Sequence, residues 1–161
     1  MLINKKLADE FLSKYKAVMA FINKGVCPDG IEEYASIRPL IFENTDDIES
    51  GVSDIVGLDF IKSIRSGVCG KFVFLKKYHK GYVLQNIDSG KYYQVAALTT
   101  PLEELAGEYS IIDTAILPYA NQLVCDGLVI SHGVSIGKNI AKEIRDGYWL
   151  AKRSRELITN V

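Results

Sequence analysis

The chain has 161 residues, 48% of them hydrophobic and 24% charged, with a formal net charge of -1 at neutral pH. That length suffices for one domain with a core that needs no disulfide or structural metal, and a charge so near zero gives no overall attraction to nucleic acid or anionic membrane. Charge is uneven along the chain all the same: residues 1–66 hold 8 basic and 11 acidic side chains, residues 138–161 hold 6 and 3, and only that C-terminal stretch is basic.

Three cysteines, Cys27, Cys69 and Cys125, form no Cys-x-x-Cys pair. An odd, widely spaced set is that of reduced thiols in a cytoplasmic protein. Behind Met1 to Lys6 there is no apolar leader run, and no stretch approaches the ~18 apolar residues of a membrane span, so the expectation is a soluble protein with no membrane partner.

The first helix is announced by Leu7, Phe11, Tyr15, Val18 and Ile22, which recur on one helical face up to Asn23-Lys24-Gly25. A short helix is expected over Ile31 to Ile37, with Pro39 restricting its continuation. Thr45 opens another whose first turn carries Asp46, Asp47 and Glu49; Gly51 and Gly57 predict that it is broken before Arg65. From Lys71 the period changes to that of strands at Phe72-Val73-Phe74-Leu75, Tyr82-Val83-Leu84 and Tyr92-Tyr93-Gln94-Val95, with turns at His79-Lys80-Gly81 and Asp88-Ser89-Gly90. Thr100-Pro101-Leu102-Glu103 reads as the start of a short helix ending near Gly107. Two further strands, Tyr109 to Leu117 and Gln122 to Ser131, follow, the second interrupted by Asp126-Gly127, a signal for a tight turn or a bulge. The helical period returns at Lys138 and runs through Ile140, Ile144, Tyr148 and Ala151 to Ile158.

The expected fold is α+β in a single domain. A helical N-terminal part (1–69) precedes a small five-stranded antiparallel barrel-like sheet (70–132), SH3-like or OB-like, with a short helix between strands 3 and 4; a C-terminal helix (137–160) closes it.

Three stretches carry a resemblance: Arg38-Pro39-Leu40-Ile41-Phe42-Glu43-Asn44, Gly70-Lys71-Phe72-Val73-Phe74-Leu75-Lys76-Lys77-Tyr78, and Ala115-Ile116-Leu117-Pro118-Tyr119 with Val124-Cys125-Asp126-Gly127-Leu128. In order and spacing they resemble an uncharacterised family of bacterial proteins. The resemblance implies a helical part followed by a β region and brings no activity with it.

Candidate chemistry is sparse. His132-Gly133-Val134-Ser135-Ile136-Gly137-Lys138-Asn139 lies between a strand and a helix as a phosphate-binding loop does. It has three residues between its glycines where four are needed, and Asn139 where a hydroxyl would hold magnesium. A flexible turn with glycines at positive φ is the reading it supports. Cys125, His132 and either Asp126 or Asp113 could be written as nucleophile, base and orienting group, yet Cys125 lies in an apolar run where a thiol acts as a small buried hydrophobe. His79 and His132 are isolated, so neither a metal nor another cofactor is expected.

The function class expected is a non-catalytic binding or protein-interaction module, with homodimerisation through helical faces as one form of partnership. Nucleic-acid binding is the alternative: Tyr78, Tyr82 and Tyr92 would stack on bases beside Lys80, and Lys152, Arg153 and Arg155 of the basic C-terminal helix would contact phosphates. The third is a small enzyme with a site near Cys125 and Asp126. No catalytic residue is assigned.

Overall fold

The computed structural model describes residues 1–160. Four helices open the chain: α1 (Lys5–Ile22), α2 (Ile31–Glu43), α3 (Thr45–Val56) and α4 (Leu58–Arg65). The α1 N-terminus is capped by Asn4, whose side-chain oxygen accepts from the Lys6 N–H at 2.9 Å. Its apolar stripe buries Phe11, Tyr15 and Val18. Phe11 meets Tyr15, Phe60 and Tyr119 at centroid distances of 5.2, 5.4 and 5.2 Å, so one aromatic knot ties α1 to α4 and to the sheet.

Two expected helix breaks are absent. α2 runs on through Pro39 to Glu43, because Ile37, Arg38 and Ile41 are all buried on its inner face and that burial outweighs the lost hydrogen bond at proline. α3 runs on through Gly51, where a Cβ would stand 2.2 Å from the Phe21 ring; glycine is there to admit that ring. Gly57, at φ +84°, does end the helix, so the stretch from Thr45 to Arg65 is broken into two short helices as expected.

The β region comprises β1 (Val68–Tyr78), β2 (Gly81–Asn86), β3 (Tyr92–Val95), β4 (Ser110–Tyr119), β5 (Gln122–Cys125) and β6 (Ile130–Ser135), with the short helix α5 (Leu102–Leu105) between β3 and β4. β1 is long enough to pair antiparallel with both β2 and β4, which sets the order β3-β2-β1-β4-β5. The sheet curls into a half-barrel. Just beyond β3, Ala96 meets Val124 of β5 in a parallel bridge, its N–H donating to the Leu123 carbonyl and its carbonyl accepting from the Cys125 N–H, both at 2.9 Å. The element order is that expected for a small barrel-like sheet, and the two edges of the sheet meet at this one bridge.

β5 and β6 lie on the same edge of β4, β5 against Ile116 to Tyr119 and β6 against Ser110 to Asp113. Asp126-Gly127 therefore interrupts one long edge and makes no hairpin; Gly127 takes φ +80° at the break. The run from His132 to Ser135, expected as a loop, belongs to β6, leaving Ile136 and Gly137 as the link to α6 (Lys138–Arg153). α6 also ends before Ile158. That residue instead bridges to Tyr93, with its N–H on the Tyr92 carbonyl and its carbonyl accepting from Gln94.

Strand alternation then sorts the side chains into layers. Phe72, Phe74, Tyr82, Leu84, Tyr93, Ile112 and Leu123 fill the barrel. Outside it, Ala115, Leu117 and Val124 pack beneath α1–α4. Val73, Leu75, Val83 and Tyr92 pack beneath Tyr148 and Ala151 of α6.

Candidate functional site

The densest polar cluster lies between the helical layer and the barrel, where β5 breaks off. Asp126 is buried there. Its Oδ1 accepts from the Thr114 hydroxyl at 3.1 Å and from the Leu128 and Ala115 N–H groups at 3.1 and 3.5 Å. Its Oδ2 accepts from the Tyr15 hydroxyl at 3.0 Å and from Arg38 Nη1 at 3.2 Å. Arg38 Nη1 also donates to the Leu128 carbonyl. Burial, and then the Asp126 charge, push the Tyr15 hydroxyl well above its ordinary range, so it stays a donor.

Five donors occupy one carboxylate, so it has no lone pair left for a substrate or an ion. The cavity against it, lined by Leu12, Tyr15, Met19, Leu98 and Leu128, is about 110 Å³. That is well below the roughly 300 Å³ at which small-molecule pockets begin. What the cluster does is join α1, α2, β4 and the end of β5 at a single point.

Cys125 points into the barrel with its Sγ 3.0 Å from the Thr114 hydroxyl, and burial pushes its thiol up to about 11. His132 is elsewhere. It stands on the exposed outer face, its Nε2 2.9 Å from Asp113 Oδ2, and Lys71 Nζ lies 3.6 Å from Asp113 Oδ1. The structure thus separates the thiol and Asp126 from the histidine and Asp113. Cys69 is half-buried near Arg38; burial raises its thiol, and the arginine charge draws it partly back. Among the described residues no three of the His, Cys, Asp and Glu side chains gather where they could hold a metal ion, and no helix is long and apolar enough to cross a membrane.

The aromatic and basic residues divide as well. Tyr82 is fully buried inside the barrel and Tyr92 lies under α6, its hydroxyl donating to the Ile144 carbonyl at 2.8 Å; neither ring has a face open to a base. Tyr78, at the end of β1, is half-buried and stacks on Tyr148 at 4.5 Å. Lys80 is exposed in the β1–β2 turn, Arg153 ends α6, and Arg155 is exposed beyond it at φ +62°. Lys152 is exposed over the Trp149 ring at 4.9 Å. Of the seven residues, the structure therefore brings Tyr78 and Lys152 to one place, with Trp149 between them.

Sequence reasoning missed Arg38, Tyr15 and Thr114. Arg38 carried a signal: it falls in the buried stripe with Ile37 and Ile41, and an arginine on an apolar helix face needs a partner.

No family model matches the chain. No curated protein matches it, and no solved structure does. The family resemblance of the three sequence stretches thus gains no matching family, and the site stands on its geometry.

Proposed function

We propose that the chain is a small non-catalytic binding module. The observation that carries this reading is the saturation of Asp126: the acidic side chain that the fold buries is engaged by five donors. The neighbouring Cys125 thiol, held near 11, is protonated at neutral pH. Groups that could act as base and nucleophile hold the structure together instead. A nucleophile needs a base within hydrogen-bond reach, and His132 is bonded to Asp113 on a different face.

The test is turnover. The wild-type chain is incubated with activated esters, phosphoesters and peptides, alongside Cys125→Ala, Cys69→Ala and His132→Ala. The expected result is no hydrolysis above buffer. Hydrolysis that disappears in one of these variants, with its unfolding midpoint unchanged, would overturn the reading.

A further inference from the structure

Trp149 is the chain's one tryptophan and is 41% exposed. Helical repeat places Arg145 and Arg153, four residues to either side, and Lys152, three residues on, along its face of α6. Lys152 Nζ stands 4.9 Å from the indole centroid. Tyr78 meets the indole edge-on at 5.8 Å, and Lys76 Nζ lies 5.2 Å from the Tyr78 ring. Burial raises the Tyr78 hydroxyl to about 12, and the Arg145 charge draws it partly back. Among the described residues none of Lys76, Arg145, Lys152 and Arg153 pairs with a carboxylate. On a chain of net charge -1, this is a mainly basic face, with Asp146 the one acidic residue at the same helical spacing, built around the exposed Trp149 ring and the half-buried Tyr78 beside it.

We infer that this face, formed by Tyr78, Trp149, Lys76, Arg145, Lys152 and Arg153, binds single-stranded nucleic acid. The inference rests on the binding-module reading and names its ligand. A single strand offers what the face is built to take: planar bases free to stack on aromatic rings, and phosphates at intervals for the cations. A duplex keeps its bases stacked on one another and presents only the phosphates. An acidic peptide matches the charge and leaves the rings without a counterpart. The site is also distinct from the outer face of β1, β2 and β3, which α6 covers; it lies on α6 itself and on the strand end beside it.

Because Trp149 is alone, its fluorescence reports the site directly. The full chain is titrated with an unstructured single-stranded DNA of about 12 nucleotides, with the matching duplex, and with polyglutamate of equal charge. The expected result is saturable quenching by the single strand at micromolar protein, weakened about tenfold or more between about 50 and 200 mM salt. Arg145→Ala, Lys152→Ala and Arg153→Ala should each weaken binding and flatten the salt slope by about 0.7. Tyr78→Leu should reduce affinity while leaving the slope unchanged. Circular dichroism of each variant confirms that it is folded. No quenching by the single strand, or binding to the duplex or polyglutamate as tight as to the single strand, would overturn the inference. Polyglutamate binding alone would leave the binding-module reading standing, whereas that reading fails on turnover, which none of these titrations measures.

Discussion

Arg38 and Asp126, 88 residues apart in sequence, form an ion pair at 3.2 Å with 3% and 0% of their side chains exposed. Removing one partner leaves the other as an uncompensated charge in the interior, which typically costs about 3–5 kcal/mol. Asp126→Ala should therefore lower the urea midpoint steeply, since it also strands Tyr15 and Thr114. Replacing both partners by apolar residues of similar volume, Arg38→Met with Asp126→Leu, should restore much of the loss. A double variant no more stable than Asp126→Ala would show that the backbone bonds to Asp126, and not the charge pair, carry the effect.

Thiol labelling checks the burial order. Cys27 is exposed, Cys69 half-buried and Cys125 buried with a raised thiol. An aromatic disulfide reagent near pH 8 should modify one thiol at once, a second slowly, and the third only after denaturant is added. Rapid modification of all three thiols in the native wild type, with one fewer in Cys125→Ala, would contradict the packing described.

The same thiol fixes the sign of an alkaline transition. Its ordinary value is 9 and its folded value about 11, so the native state holds the proton more firmly than the unfolded chain does. The stability this confers is fully present below pH 9 and is lost as pH rises from 9 towards 11, to an extent of about 2–3 kcal/mol. The Tyr15 hydroxyl, also raised, acts in the same direction above its ordinary value of 10. Cys125→Ala should thus flatten the fall in urea midpoint between pH 9 and 10.5; an unchanged fall would locate the alkaline sensitivity elsewhere.

How much of this was legible depends on how far apart the cooperating residues stand. The α1 stripe and the strand-strand-strand-helix-strand order are local periodicities, and both appear in the fold. Pro39 and Gly51 were misread because local propensity was overruled from outside the helix, by buried neighbours in one case and by the Phe21 ring in the other. Alternation along β1 and β2 turns half of their side chains inward, and Tyr82 is one of these. The closure at Ala96 and Val124, the five donors on Asp126 and the meeting of Tyr78 with Trp149 join distant segments, and no spacing rule reaches across them.

The two-residue turn between β4 and β5 holds Ala120 at φ +50° and Asn121 at φ +61°. Both central positions of such a turn take positive φ, which asparagine tolerates and alanine resists. Ala120→Asn should raise stability by about 0.5–1 kcal/mol, since the exposed site gives the new side chain room. A thermal melt with no gain, or with a loss, would mean that the alanine is not strained there.

The docking of α6 can be probed through Gly147. A Cβ on this residue would stand 2.4 Å from the Tyr92 hydroxyl oxygen and 3.2 Å from the ring carbon that bears it. In an isolated helix, alanine in place of glycine would help by about 1 kcal/mol. Here the Tyr92 ring is held by the sheet and its hydroxyl is bonded to the Ile144 carbonyl, so relief requires the helix to lift or that bond to break. Gly147→Ala should therefore destabilise the protein by about 1–2 kcal/mol in spite of the propensity gain, a fall in Tm of roughly 2–8 °C. Tyr92→Phe removes the oxygen that the methyl group meets. Placed in the Gly147→Ala background it should recover part of the loss, although in the wild-type chain the same change is destabilising. Additive effects of the two substitutions would mean that helix and ring do not meet as described; a sign change on combination places Gly147 as the residue that lets α6 lie on the sheet.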